Sequence, residues 1–101
     1  MDYTGPRWQH LRRRVLRRDG YMCREARRYG KRVPAEVVHH IYPADEWPEY
    51  AWCEWNLLSL SRENHNRMHD RETGRLTALG LRWMERVIPP PSSGLNNPFR
   101  S

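Results

Sequence analysis

Between residues 8 and 18 the apolar positions Trp8, Leu11, Val15 and Leu16 fall on one stripe, and arginines occupy the other faces. Spacings of three and four residues put such positions on one side of a helix. The pattern therefore predicts an amphipathic α-helix that Asp19-Gly20 brings to a stop. Residues 1–6 ahead of it are expected to fray, and residues 21–31 read as loop with one turn, ending at Gly30. From 33 to 41 the period changes to two, the mark of a strand, with Val37 and His39 on one face and Val38 and His40 on the other. Pro34 is compatible with that strand only near its start or on an edge.

Residues 42–55 form a long connection with two prolines and the aromatics Trp47, Tyr50, Trp52 and Trp55. Such density in a small domain is expected to make a packing cap rather than a binding platform. Residues 56–60 read as a second strand. Ser61 then has the character of a helix N-cap, with Asn64 at the third helical position in place of the usual Glu or Gln. The helix it opens is expected to carry both His65 and His69 and to end between Asp70 and Gly74. Thr77 opens a last helix with Leu79, Trp83, Met84 and Val87 as its apolar positions, stopped by Pro89-Pro90-Pro91. The class predicted is α+β, a two-stranded antiparallel hairpin and one helix flanked by N- and C-terminal helices. One domain is expected over residues 1–88, followed by a Pro/Ser/Asn-rich tail, 89–101, of extended or disordered type.

Composition narrows the class. At 101 residues with 38% hydrophobic content, the chain supports only a thin core, and domains of this size often lean on a metal or a partner. No apolar run approaches the ~20 residues needed to span a bilayer, and residues 1–14 lack the apolar segment of a signal peptide, so a cytoplasmic location without membrane contact is expected. Cys23 and Cys53 are expected as free thiols there. The net charge is +6. From Arg7 to Arg32 eleven basic residues face only Asp19 and Glu25, while the stretch 45–54 runs acidic with Asp45, Glu46, Glu49 and Glu54. A basic half suits a phosphate-binding surface, because association gains from counterion release. A solvated helix face has the same composition.

Four of the five histidines sit at His39, His40, His65 and His69. On a helix, His65 and His69 share a face at a spacing that two ligands of one metal ion use. Of the adjacent pair His39-His40 on a strand, one ring can join that metal while the other faces elsewhere.

In chain order the landmarks are His39-His40, then Asn56 after fifteen intervening residues, His65 after eight more intervening, and His69 after three. This resembles the HNH (ββα-metal) nuclease motif in its three-histidine form. The flanking text, "RDGYMC" after an Arg-rich helix, "AEVVHHI", and "NLLSLSRENHNRMH", is similar to small HNH proteins of bacteriophages. The resemblance spans about Trp8 to Arg86. It implies a ββα-metal fold in which His39, His65 and His69 hold one divalent cation and His40 is the general base. Asn56 in that pattern orients the loop and the base. The implied activity is a DNA endonuclease, and the implied setting is work beside a phage packaging terminase.

Imidazole donors suit zinc, nickel, cobalt or manganese better than magnesium. Arg62 and Arg67 are expected either to grip phosphates or to be exposed helix arginines, and Arg12, Arg13 and Arg17 of the basic helix are further DNA-contact candidates. A non-catalytic, metal-stabilised DNA- or terminase-binding module is the alternative; RNA as substrate, nicking against double-strand cleavage, and monomer against weak dimer stay open.

One departure from the family stands out. Many phage-type HNH proteins hold a separate structural zinc with two Cys-x-x-Cys pairs. Here Cys23 is present, but the other three positions read Ala26, Ser61 and Asn64. One thiolate of four does not make a tetrahedral zinc site, so no second zinc is expected. Contacts of Trp8, Trp52, Trp55 and Cys53 with Cys23 are expected to replace it. A Cys2His2 set of Cys23, Cys53, His65 and His69 is discounted, because twenty-nine residues between the cysteines far exceed a knuckle spacing.

Overall fold

The structure, a computed structural model, describes residues 2–90. The first helix, α1 (Pro6–Arg18), starts two residues earlier than its apolar stripe, because Pro6 sits at the first helical position, where its missing N–H costs nothing. Asp19 closes it, and Gly20 takes φ 64° to turn the chain away. Tyr21 follows with φ 59°, an uncommon conformation for a side-chain-bearing residue, held by its N–H to the Leu16 carbonyl. A single helical turn, α2 (Arg24–Arg27), lies within the stretch read as loop with one turn.

Strands β1 (Val37–His40) and β2 (Leu57–Leu60) pair antiparallel, with His39 opposite Leu58 and His40 opposite Leu57. Each is shorter than its pattern suggests. β1 can pair only where β2 runs beside it, and residues 33–35 instead turn toward the segment after α1, where Pro34 makes an isolated bridge with Met22. Both sheet faces are covered. Val38 and Leu57 pack with Trp8, Val15 and Leu16 of α1. Leu58 and Leu60, on the opposite face, pack with Cys23, Ala26, Ile41, Met68, Leu79 and Trp83. The replacement packing around Cys23 thus differs from the expectation: Trp8 and Trp52 belong to the other cluster, while Cys23 joins the cluster of Leu58, Leu60, Met68 and Trp83 and its Sγ accepts from Asn64 Nδ2 at 3.3 Å. Both cysteines are free.

Ser61 caps the next helix, its hydroxyl accepting the Asn64 N–H at 3.2 Å, as the sequence predicts. That helix, α3 (Arg62–Asn66), is shorter than expected. His65 lies on it, but His69 lies beyond it, in an isolated bridge with Leu76. The reason is tertiary. The last helix, α4 (Ala78–Arg86), is capped by Thr77, whose N–H donates to the Met68 carbonyl at 2.8 Å and whose hydroxyl donates to the Arg67 carbonyl at 2.7 Å. Gly80 comes so close that a Cβ there would stand 2.8 Å from the Met68 carbonyl. Docking of α4 thus takes the Arg67 and Met68 carbonyls, which a longer α3 would have offered to residues 71 and 72.

The connection between the strands is built on two 3₁₀ turns, Pro48–Tyr50 and Glu54–Asn56. Three of its aromatics, Trp47, Tyr50 and Trp55, form an edge-on cluster with Tyr42, while Trp52 packs instead against Trp8. No helix among the described residues is long and apolar enough to cross a membrane. Most of the tail, residues 91–101, lies outside the described residues.

Candidate active site

The hairpin and α3 bring His39, His65 and His69 together, with one ligand-capable atom of each within 4.8 Å of the others. Ring centroids lie 5.4 Å (His39–His65), 5.4 Å (His39–His69) and 5.9 Å (His65–His69) apart. His39 is buried, and its Nε2 has no hydrogen-bond partner among the described residues. A buried polar atom left bare is costly, and a cation coordinated by the three rings would relieve the cost. Burial, with the neighbouring His65, His69 and His40 adding to it, pushes the His39 pKa down to about 3. Burial, then His69 and Arg62, lowers that of His65 as well. These rings stay neutral near pH 7, which is the state in which imidazole ligates a metal. The residues present therefore fit a single divalent cation, and three donors leave coordination positions open.

His40 points the other way, as strand alternation requires. Its ring stacks on the Trp8 indole, centroids 5.5 Å apart and planes within 17°, and Tyr3 meets it edge-on at 6.2 Å. Nε2 lies 3.0 Å from the Ala51 carbonyl oxygen. A carbonyl only accepts, so the neutral ring carries its proton on Nε2 and its lone pair on Nδ1. Nδ1 has no hydrogen-bond partner among the described residues. Burial lowers the His40 pKa, and the Ala51 bond opposes that in part. All four histidines line one cleft of about 530 Å³, together with Tyr3, Trp8, Arg12, Arg62 and Asp45.

Asn56 is fully buried and does not line the cleft. Its Oδ1 accepts the Tyr42 N–H at 2.8 Å, and its Nδ2 donates to the carbonyls of Tyr42 (3.0 Å) and Tyr50 (3.2 Å). It thus clips both ends of the loop that carries Ala51.

The arginines divide. Arg12 and Arg62 reach the cleft from α1 and α3, and Glu36 lies between them: Arg12 donates to its carbonyl at 2.8 Å, and Arg62 stands 3.8 Å from its carboxylate. Arg67 turns away and donates to Asn64 Oδ1. Arg13 and Arg17 are exposed on α1 and do not line the cleft. Much of the remaining basic charge is spent internally. Arg18 and Arg24 pair with buried Asp19, Arg27 donates to the Asp19 carbonyl, and Arg14 pairs with Glu54.

Three contributors escape a reading of the sequence. Trp8 registers there only as a core position of a helix stripe, and Tyr3 belongs to a segment expected to fray, yet its ring packs at 5.3 Å on Trp8. Ala51 acts through its carbonyl, which every residue possesses, so no residue type signals it.

A tri-imidazole site on a β-hairpin with a following short helix, and a fourth histidine beside it, defines a ββα-metal nuclease architecture. No protein-family model and no curated protein matches the chain. Among solved structures it is similar to the HNH endonuclease of the deep-sea thermophilic bacteriophage GVE2, crystallised with manganese ion. The likeness has a TM-score of 0.62 at 32% sequence identity and covers 64% of this chain and 71% of that one. The chain belongs to the HNH endonuclease family.

Proposed function

We propose that this protein is a metal-dependent endonuclease that hydrolyses phosphodiester bonds of DNA. The observation that carries the reading is the division of labour among four histidines on one cleft: three converge within 4.8 Å, and the fourth is held apart by other partners. His39, His65 and His69 hold one divalent cation. Bound there, it would supply Lewis-acid stabilisation of the negative charge that develops during phosphodiester hydrolysis. His40 accepts the proton of the attacking water on Nδ1, because Nε2 is committed to Ala51. Arg12 and Arg62 bind phosphates at the cleft rim. Asn56 keeps the Ala51 loop in place and so keeps the base oriented. The phage origin of the similar nuclease supports a further step of the proposal, work beside a packaging terminase.

The test is cleavage of supercoiled plasmid by metal-stripped protein supplied with magnesium, manganese, nickel, cobalt or zinc in turn. Cleavage that depends on the ion, and that falls by roughly 10²–10⁴-fold in His40→Ala with metal binding retained, is the expected result. Tight, salt-sensitive DNA binding without cleavage under any ion would replace this reading with that of a binding module.

A further inference from the structure

We infer that Trp8 is a positioning residue for His40, holding the imidazole in the one orientation that presents Nδ1 to the reacting water; the inference rests on the nuclease reading above. Of the aromatic pairs among the described residues, Trp8–His40 is the one that lies face to face, with planes 17° apart, while the others meet edge-on. General packing therefore produces edges in this molecule, and the parallel stack is a specific placement. Trp8 can impose it because it is itself fixed. It is 5% exposed and lies in the first turn of α1, a helix packed on the sheet through Trp8, Val15 and Leu16. Trp52 braces its other contacts at 6.3 Å, with the Arg7 guanidinium 3.8 Å above the Trp52 ring.

Two constraints then act on one ring. The Ala51 carbonyl sets which nitrogen carries the proton, since a half-turn of the imidazole would lose the 3.0 Å bond. The indole face sets the plane, since rotation about the Cα–Cβ bond would drive the ring off the stack. Neither constraint alone suffices: a hydrogen bond to a single carbonyl tolerates a broad range of ring tilts. A base displaced by about 1 Å from its productive geometry loses rate without losing substrate. Trp8 packs on the sheet face opposite His39, so the metal-binding rings do not depend on it directly.

The experiment is a kinetic double-mutant cycle of Trp8→Leu with His40→Ala, read as plasmid nicking with manganese, beside manganese affinity and the melting temperature of each variant. Trp8→Leu is expected to lower kcat by about 10-fold with KM and manganese affinity within about twofold of wild type. In the His40→Ala background the same substitution should cost nothing further, because a residue that acts through His40 has nothing left to act on. Trp8→Phe, which restores a flat ring, should recover most of the lost rate. Equal losses in both backgrounds would make Trp8 a structural residue only and overturn the inference while leaving the nuclease reading intact. Absence of cleavage by the wild-type protein would remove both. Should Trp8→Leu not fold, Trp8→Met, which keeps apolar bulk without a flat ring, takes its place in the cycle: a loss of about 10-fold confined to the wild-type background supports the inference, and no loss or equal losses in both backgrounds overturn it.

Discussion

Replacing Asn56 with alanine tests the link between the strand connection and the candidate base. Three hydrogen bonds are removed, at 2.8, 3.0 and 3.2 Å, and all three partners are backbone groups of Tyr42 and Tyr50. At about 0.5–1.5 kcal/mol net for each bond, the loss comes to roughly 2–4 kcal/mol. That is a large share of the ~5–15 kcal/mol that a domain of this size commands. A domain of about 100 residues shifts its melting midpoint by ~4–8 °C per kcal/mol, so a fall of about 8–32 °C is expected by circular dichroism. Ala51 rides on the clipped loop, so kcat should fall as well, while manganese affinity, set by His39, His65 and His69, should hold. Asn56→Asp sharpens the test. One carboxylate oxygen can still accept from Tyr42 N–H, but the other faces two carbonyl oxygens, so burial and repulsion raise its folded pKa. Its stability contribution is then present below the unfolded pKa of about 3.9 and lost as pH rises through the folded value, so this variant should be relatively more stable in acid. A midpoint in Asn56→Ala within about 3 °C of wild type would refute the bracket.

Four further outcomes are expected. His65→Ala should weaken manganese binding in titration calorimetry, and full affinity would show that the ligands are assigned wrongly; in the wild type, metal at 100 times its Kd should add about 2.7 kcal/mol of stability. Gly80→Ala forces a methyl group to 2.8 Å from the Met68 carbonyl, so the chain entering His69 must shift; manganese affinity and melting temperature should fall together, and a silent variant would show that α4 does not set His69. For Asp19, burial pushes the carboxyl up, but the Arg18 guanidinium and hydrogen bonds from Ser59 outweigh it and hold the pKa below 3.8. Its stabilisation is therefore present above 3.8 and lost as pH falls through the folded value, so the gap in urea midpoint between wild type and Asp19→Asn should close toward pH 2; a gap constant with pH would contradict it. Replacing Arg12 and Arg62 together by alanine should weaken DNA binding and reduce the slope of log K against log salt by nearly 2, about 0.9 for each phosphate no longer neutralised, and an unchanged slope would put the phosphates elsewhere.

What is legible in the chain alone is what short-range physics controls. The α1 stripe and its stop at Asp19-Gly20, the Ser61 and Thr77 caps and the alternation of β1 all depend on neighbours within about four residues. Alternation in particular separates His39 from His40, because a strand has no other way to dispose adjacent side chains. The family resemblance then points to His39 as ligand and His40 as base, a choice that period alone leaves open. Everything that turns on partners distant in the chain was settled by folding. β1 pairs with β2 over four residues because the chain ahead of it turns to bridge Met22 instead. α3 does not continue past His69 because Thr77, at the start of a later element, takes the Arg67 and Met68 carbonyls. The eleven clustered basic charges look alike in sequence, yet Arg18 is spent on the carbonyls of Glu54 and Leu57 while Arg12 reaches the cleft. Tyr3, Trp8 and Ala51 meet around His40 from three separate segments. Local pattern sets which face a residue takes, and only the packing of distant segments sets what that face meets.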